Sequence, residues 1–333
     1  MMKLSGTRTI AAALGVAVLA AAVPASAATT WLMASGYPEE NFHTKNIRMF
    51  IDEVEDKSGG ELTIDLQPND SLIKLDSIKR AVQSGQIPIG EIRLGVYGNE
   101  DPMYILAGLP FIAPTYEAAW ELKDAQKPYF DKLFDEAGMK VLFYSPWPGQ
   151  GFYTKFPVNG PDDFAGVKLR IYSTSTQEMG ELLGFQATIL PFAEIPQAFS
   201  TGLIEALFTS PQTGIDIQAW DNTDYYTDVG ALYSKNAVIV SKAAFDALDE
   251  ATQTVILEAA KTAEKRAWEM SEATTTEQKG ILKEHGMTVT EAPESLVEKM
   301  TEIGGKMLVT WKESASPEAV EAVTPFFKSK GLE

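Results

Sequence analysis

The sequence predicts an α/β protein built from two units. Three observations lead to this fold class: strand and helix patterns alternate, the alternation recurs in the second half, and a long helical segment follows. The chain has 333 residues, of which 45% are hydrophobic and 22% charged, as is usual for globular proteins. At roughly 150 residues per domain, this length favours two domains, each with its own core.

The first unit begins with a short buried strand at 31–33. Apolar residues then recur at helical spacing over 47–54, alternate with polar residues over 62–66, and return to helical spacing over 78–85. A further strand pattern follows over 87–94. This order of strand, helix and strand predicts a mostly parallel sheet with helices on its faces.

The second unit repeats this alternation over 167–208. Strand patterns lie at 167–171, 187–190 and 203–208, with helical segments between them. Proline, glycine and aromatic residues cluster at 146–151. We therefore expect the connection between the two units at this cluster.

The segment 250–279 contains neither glycine nor proline. As a helix it would be about 45 Å long, which exceeds one small α/β unit. Asp249 is a suitable N-cap, and 283–286 a suitable end. This segment is therefore predicted to brace two lobes against each other.

The first residues have the pattern of a secretory signal peptide. Lys3 and Arg8 precede an apolar run from Ile10 to Val23, and Ala25–Ala27 forms a small-residue cleavage site. The run is short for a transmembrane helix, which needs about 20 apolar residues. We expect residues 1–27 to be removed after about Ala27, leaving a periplasmic protein without stable membrane insertion.

Charge and cysteine content exclude several functions. The chain has 28 Lys plus Arg against 46 Asp plus Glu, a net charge of −18, and no cysteine. Such acidity makes nucleic acid an unfavourable partner. The absence of cysteine excludes thiol catalysis and thiolate metal sites, and it fits an oxidising compartment.

Signals for an enzyme are weak. The sequence holds two histidines, His43 and His285, and no nucleophile elbow, phosphate-binding glycine loop or zinc-binding helix motif. The acidic stretch 221–228 lacks the glycine and final glutamate of a calcium loop. We expect no catalytic residues, metal or cofactor. An exported hydrolase that uses His43 with a nearby acid remains an alternative.

Several motifs, in order and spacing, are shared with one family. They are the stretches GGELTIDL at 59–66, IKRAVQSGQIPIGE at 78–91, DFAGVKLR at 163–170, PFAE at 191–194 and QAFSTG at 197–202. In these motifs the chain resembles the extracytoplasmic solute-binding proteins of TRAP transporters, the DctP-type family. The resemblance covers essentially all residues after 27.

The resemblance implies a two-lobed, Venus-flytrap receptor with a long helix crossing both lobes. Such a protein is not an enzyme: it captures a small organic acid in the periplasm and delivers it to a sodium-driven TRAP permease. We expect a monomer. The first lobe is predicted from 28–149 plus about 236–280, and the second from 150–235 plus about 281–333.

The family's carboxylate-binding arginine falls on Arg170. Apolar residues take alternate positions over 167–171, so Arg170 points away from them near the end of a strand, where clefts in α/β sheets open. A guanidinium offers a carboxylate two parallel hydrogen bonds. A salt bridge to a neighbouring acid is the alternative role.

Other positions are expected to line the pocket. The resemblance places Phe192 against the ligand's carbon skeleton and Ser210 at a strand end. Some relatives carry an arginine where this chain has Phe152, and a glutamate where it has Arg93. With these two differences, the second cation of the pocket would be Arg93, on the other lobe. Three further aromatic residues are expected to form walls of the pocket: Trp147, Tyr153 and Trp220.

These walls favour an acid with an apolar or aromatic body, while Arg93 favours a diacid or keto acid. Core packing is the alternative role for the aromatic residues. Two other receptor functions stay open. The chain could serve an ATP-driven importer, whose receptors usually lack a long cross-lobe helix, or a sensor kinase.

Overall fold

The computed structural model describes residues 28–332, and the expected signal peptide and its cleavage site lie outside this range. The strands are β1 (Thr29–Ala34), β2 (Leu62–Gln67), β3 (Ile89–Arg93), β4 (Met139–Pro146), β5 (Gly151–Thr154), β6 (Lys168–Ile171), β7 (Gln186–Ile189), β8 (Ala206–Thr209), β9 (Tyr225–Asp228), β10 (Lys235–Ser241) and β11 (Thr288–Glu291). The helices are α1 (Phe42–Lys57), α2 (Ile78–Gln83), α3 (Tyr116–Glu136), α4 (Thr174–Leu182), α5 (Ile195–Ser200), α6 (Pro211–Asp216), α7 (Lys242–Asp246), α8 (Glu250–Glu284), α9 (Glu294–Ser314) and α10 (Pro317–Lys330).

The first sheet has the order β2-β1-β3-β10-β4. Strands β2, β1 and β3 run parallel, whereas β10 is antiparallel to both of its neighbours. On one face, Trp31 and Phe143 pack with Phe50 of α1 and with Ile256 and Ala260 of α8. The parallel part matches the strand–helix alternation of the sequence.

The second sheet has the order β11-β9-β5-β8-β6-β7. Strands β7, β6 and β8 are parallel, and β5 is antiparallel to both β8 and β9. The two sheets are the centres of two lobes, as expected from the sequence. The α/β, two-lobed fold class is confirmed.

The chain passes between the sheets at 147–150, at 229–234 and through α8. Helix α8 has 35 residues, begins where the Asp249 side chain accepts from the Thr252 amide, and is capped at its end by His285. At 1.5 Å per residue it is about 50 Å long. It packs on α1 and β4 of one lobe and on α6 and β11 of the other. The expected cross-lobe helix is therefore present.

The two C-terminal helices contact both halves of the molecule. Helix α9 lies against α4 and the 102–108 segment, while α10 packs on α3 beside the first sheet. Buried Val323 and Phe327 explain this position of α10. Residues 281–333 were expected to belong to the second lobe, and the position of α10 beside the first sheet differs from this expectation. The other lobe boundaries stay predictions.

Within residues 28–332, none of the helices combines the length and the apolar character that a membrane crossing needs. The same range contains no group of three or more His, Asp or Glu side chains placed to hold a metal ion.

Candidate ligand-binding site

Five cavity-lining residues lie at the carboxyl ends of parallel strands. In the first lobe, Tyr37 follows β1 and Arg93 is the last residue of β3. In the second, Tyr172 follows β6, Phe192 follows β7 and Ser210 follows β8. Open parallel sheets bind ligands at this edge because the loops there diverge. The two edges face each other across one cavity.

The space at this cavity, part of which is open to solvent, measures about 290 Å³. It is lined by Tyr37, Arg93, Trp147, Gln150, Arg170, Tyr172, Phe192, Thr209, Ser210, Thr213 and Ser234. Three of these, Trp147, Gln150 and Ser234, belong to the connections between the sheets. The cavity is thus formed by both lobes together with the segments that join them.

Arg170 is a buried cation in this cavity, with 1% of its surface exposed. Its Nε and Nη2 donate to the Leu190 carbonyl oxygen over 3.1 and 2.9 Å, which fixes the guanidinium beyond the end of β7. No carboxylate in residues 28–332 lies within ion-pair distance of it. Burial, with a smaller effect from Arg93, lowers the pKa of Arg170 to about 9, so it stays charged at neutral pH.

Arg93 supplies a second cation from the other lobe. Its Nη2 lies 3.7 Å from Asp76 Oδ1, and its buried Nε has no hydrogen-bond partner in the described part of the chain. The Cζ atoms of Arg93 and Arg170 lie 5.1 and 5.7 Å from the centre of the Tyr172 ring. The Tyr172 hydroxyl donates to Gln150 Oε1 over 2.6 Å. Two guanidinium groups therefore meet at one fixed aromatic ring.

Hydroxyl groups form the wall that the second lobe contributes. Ser210 caps α6, accepting from the Thr213 amide over 3.2 Å. Tyr153 donates to the Ser210 carbonyl oxygen over 3.2 Å from below. Thr209 completes this polar wall. The arrangement offers hydrogen-bond donors and acceptors to a polar ligand.

The apolar wall contains three packed rings. Tyr37 contacts Trp147 edge-on with ring centres 4.9 Å apart, and Phe192 with ring centres 5.6 Å apart. Trp147 Nε1 donates to Asn236 Oδ1 over 2.8 Å, and Asn236 in turn donates to Glu91 over 2.8 Å. Burial raises the pKa of Glu91 to about 7. This chain of hydrogen bonds sets the orientation of the indole.

Of the eight residues predicted to bind ligand, Arg170, Arg93, Trp147, Phe192 and Ser210 line the cavity. The other three, Phe152, Tyr153 and Trp220, do not line it. Six lining residues were not predicted: Tyr37, Gln150, Tyr172, Thr209, Thr213 and Ser234. The sequence contained a signal for Tyr172. It lies two positions after Arg170, so in an extended chain the two side chains are on the same side.

Phe152 and Tyr153 lie in the core because β5 is a central strand covered on both faces. The Phe152 ring packs 4.7 Å from Phe164 and 4.8 Å from Phe208. On the opposite face, Tyr153 packs 4.6 Å from Tyr226. Both predicted wall residues are fully buried, and neither reaches the cavity.

Trp220 stacks on His285 with ring centres 3.9 Å apart, away from the cavity. This contact also occupies the histidine at the end of α8. The other histidine, His43, is buried, with Nδ1 2.6 Å from Ser145 Oγ. Burial lowers the pKa of His43 to about 3, and no acid contacts it among the described residues. The expected His–acid pair of a hydrolase is therefore not formed.

Two lobes joined by crossing segments, with a cavity between them that contains a buried guanidinium without a carboxylate partner, define a two-lobed solute-binding protein. Residues 33–314 match the family model of the bacterial extracellular solute-binding proteins, family 7 (DctP). The chain belongs to this family, and the resemblance seen in the sequence is confirmed. It functions as a receptor in transport, not as an enzyme. Proteins of this family are periplasmic.

Solved structures agree with this assignment. DctP7 of Bordetella pertussis, an extracytoplasmic solute receptor binding pyroglutamic acid, is 38% identical, with a TM-score of 0.88 over 90% of this chain and 99% of that one. A marine metagenome TRAP solute-binding protein specific for pyroglutamate is 32% identical, with a TM-score of 0.87 over 91% and 99%. The C4-dicarboxylate-binding periplasmic protein DctP of Rhodobacter capsulatus is 26% identical over 63% of this chain and 64% of its own length.

Proposed function

We propose that this chain is the periplasmic receptor for pyroglutamate or a closely similar small cyclic monocarboxylate, which it delivers to a sodium-driven TRAP permease. The observation that carries this proposal is the buried, unpaired guanidinium of Arg170 in a cavity between the lobes. Burial of an unpaired charge is costly, and a carboxylate ligand removes that cost.

The carboxylate of the ligand binds between the two guanidinium groups. Arg170 is held in place by Leu190, and the buried Nε of Arg93 still needs an acceptor. Guanidinium and carboxylate form paired, charge-assisted hydrogen bonds with defined geometry. Because the two arginines come from different lobes, one carboxylate can connect the lobes.

The rest of the cavity suits a small polar ring. The cavity is small, and its wall combines the Ser210, Thr213 and Ser234 side chains with the Phe192 ring. The lactam N–H and carbonyl of pyroglutamate find partners among the Ser210, Thr213 and Ser234 hydroxyls, and its ring packs on Phe192. The aromatic body expected from the sequence stays an alternative, because Tyr37, Trp147, Tyr172 and Phe192 line the cavity.

The relatives support the same ligand. The receptor from Bordetella pertussis binds pyroglutamic acid and the marine protein is specific for pyroglutamate, and both cover almost the whole of this chain after residue 27. We further propose signal-peptide cleavage after about Ala27, a monomeric receptor, and a first lobe built around residues 28–149.

Calorimetry with a panel of acids tests the ligand. We expect L-pyroglutamate to bind most tightly, and L-proline, which shares the ring and carboxylate but lacks the lactam carbonyl, to bind at least about tenfold more weakly. Glucuronate, succinate and phenylacetate represent sugar acids, diacids and aromatic acids. Tighter binding of any of these three than of pyroglutamate would overturn the assignment.

Uptake of labelled pyroglutamate tests the role in transport. In cells that carry this receptor, uptake should require the receptor gene and a sodium gradient. Uptake that persists without sodium but stops when ATP is depleted would indicate an ATP-driven importer. Pyroglutamate binding without any receptor-dependent uptake would favour a sensor.

A further inference from the structure

Glu91 is a buried carboxyl group that does not itself line the ligand cavity. It lies in β3, two positions before Arg93, and 1% of its surface is exposed. Side chains two positions apart in a strand share a face of the sheet, so Glu91 and Arg93 lie on the same face. Because a carboxyl group is costly to bury without hydrogen-bond partners, its contacts indicate what it does.

Each oxygen of Glu91 accepts from a different side chain. Ser35 Oγ donates to Oε2 over 2.6 Å, and Asn236 Nδ2 donates to Oε1 over 2.8 Å. Both partners are fully buried. Ser35 directly follows β1, which neighbours β3, and Asn236 of β10 lies opposite Arg93. The three side chains therefore come together from three adjacent strands.

Each of these two partners leads to a ring of the cavity wall. Ser35 Oγ accepts from the Tyr37 amide over 3.3 Å, and Asn236 Oδ1 accepts from Trp147 Nε1 over 2.8 Å. Tyr37 and Trp147 both line the cavity, and their rings contact each other. A single carboxyl group is thus connected to both rings.

The hydrogen bonds of this network suit an ionised carboxylate. An indole N–H can only donate, so the Asn236 oxygen faces Trp147 and the Asn236 amide group faces Glu91. Ser35 Oγ already accepts from Tyr37, and its own hydrogen points to Glu91. Both Glu91 oxygens are therefore acceptors. A proton on Oε2 would reverse the contact with Ser35 and deprive the Ser35 hydrogen of its acceptor.

We propose that Glu91 is a positioning residue of the ligand site, whose carboxylate form holds Tyr37 and Trp147 where they pack against the bound acid. This proposal rests on the function proposed above, because it concerns the same cavity. Tyr37 also contacts Phe192 of the second lobe, with ring centres 5.6 Å apart. The position of Tyr37 therefore affects how the two lobes meet around the ligand.

Glu91 changes its charge near neutral pH. Burial raises the pKa of Glu91 to about 7, although the hydrogen bonds from Ser35 and Asn236 oppose the shift. The other titratable or charged side chains of β3 and of its neighbouring segments are Tyr37, His43, Asp76, Lys79, Arg80, Arg93 and Lys235. Within the described residues, none of these side chains is hydrogen-bonded to Glu91. As the pH falls through about 7, Glu91 gains a proton and the affinity for the ligand should fall.

Nuclear magnetic resonance of the indole N–H groups tests the network without any ligand. The chain has six tryptophans, and Trp147→Phe identifies the Trp147 signal. In the wild type this signal should shift with pH, with its midpoint at the pKa of Glu91, because a change of charge alters the polarisation of linked hydrogen bonds. The shift should be absent from Glu91→Gln and unchanged in Glu61→Gln, an exposed control in the same lobe.

Ser35→Ala provides a second variant for the same measurement. The hydrogen bond from Ser35 lowers the pKa of Glu91, so its removal should move the midpoint of the Trp147 shift to higher pH. A role in folding alone would not produce this displacement. A Trp147 signal that titrates identically in the wild type, Glu91→Gln and Ser35→Ala would overturn the proposal.

Calorimetry with L-pyroglutamate tests the consequence for binding. The glutamine side chain of Glu91→Gln can accept from Asn236 and donate to Ser35, as protonated Glu91 would. At about pH 8 this variant should bind about three- to tenfold more weakly than the wild type, whereas at about pH 5.5 the two should bind equally. A ratio that is the same at both pH values, or tighter binding by Glu91→Gln at the higher pH, would contradict the role of Glu91.

The two measurements separate this proposal from the proposed ligand. If L-pyroglutamate does not bind the wild type, the ligand assignment fails. The Trp147 titration, which needs no ligand, then decides whether Glu91 controls the wall.

Discussion

The Asn41 side-chain amide donates to Asp216 Oδ2 over 2.7 Å, which ties the start of α1 in the first lobe to α6 in the second. Gln212 donates to the other oxygen of Asp216 over 2.7 Å, and Gln278 of α8 donates to Gln212 over 2.8 Å. These four side chains form one hydrogen-bonded chain. Both lobes and the long helix are therefore connected by polar contacts outside the ligand cavity.

Substitution of Asn41 by serine should weaken ligand binding. Asn41 also caps α1 by accepting from the His43 amide, and serine is an equally good cap that is too short to reach Asp216. Loss of a hydrogen bond to a carboxylate costs about 1.5–3 kcal/mol, so we expect roughly ten- to 150-fold lower affinity by calorimetry. Unchanged affinity would show that the bond adds nothing to closure.

X-ray scattering on the same pair of proteins separates closure from ligand contact. The wild type should have a smaller radius of gyration when saturated with ligand than when empty. Asn41→Ser should require more ligand for the same change. If the empty and saturated curves coincide in the wild type, the lobes do not move and the interpretation of this bond is wrong.

Asp216 should make unfolding stability depend on pH. Burial is the main cause that raises the pKa of Asp216 from 3.8 to about 6, although its hydrogen bonds oppose the shift. A raised pKa favours folding while the carboxyl is protonated, so this stability is present below the unfolded value and is lost as pH rises through about 6. The loss is at most about 3 kcal/mol.

Urea unfolding of wild type and Asp216→Asn at several pH values measures this contribution. Asparagine has no charge to desolvate, so the variant should gain stability relative to the wild type as pH rises from about 4 to 7. Glu91, with its raised pKa, titrates in both proteins and cancels in the difference. A difference that is flat with pH would contradict the role of Asp216.

Removal of the Arg170 guanidinium should reduce affinity more than any other single change at the site. If a carboxylate binds there, Arg170→Ala leaves it buried and unpaired, which costs about 2–5 kcal/mol, or at least about thirtyfold in affinity. Arg170→Lys should restore part of this. The exposed Lys168 on the same strand provides the control variant Lys168→Ala. Wild-type affinity of Arg170→Ala in calorimetry would refute the assignment.

Two adjacent glycines of α9 should respond oppositely to alanine. A Cβ atom on Gly304 would lie 1.9 Å from the Pro110 carbonyl oxygen, whereas one on Gly305 would meet nothing within 4 Å. We expect Gly304→Ala to lower the free energy of unfolding by about 1–3 kcal/mol. Gly305→Ala should raise it by about 0.5–1 kcal/mol, the helix preference of alanine over glycine. Denaturant titration of both variants distinguishes them.

The sequence predicted those features that follow from local periodicity. The alternation over 167–171 predicted β6 and predicted that Arg170 points away from the apolar face of this strand. In the structure the Arg170 guanidinium indeed lines the cavity. The absence of glycine and proline over 250–279 predicted α8, and Asp249 is its N-cap. These signals are contained within a few residues of each other, so no tertiary information was needed.

The positions of aromatic side chains could not be predicted in this way. Phe152 and Tyr153 are neighbours that point to opposite faces of β5, yet both faces are covered by other parts of the chain. Gln150 and Ser234 reach the cavity because two distant connections cross side by side. Such burial depends on partners that are far away in sequence, and periodicity carries no information about them.

Strand β10 lies between β3 and β4 and pairs with both, although almost the whole second sheet is encoded between β4 and β10. The first sheet thus remains split until residue 241 has been synthesised, and its final pairing closes a long loop, which is a slow kind of step in folding. An N-terminal fragment ending at β4 would expose two unpaired strand edges and tend to aggregate. The order of synthesis therefore delays completion of the first lobe until most of the second sheet has been made.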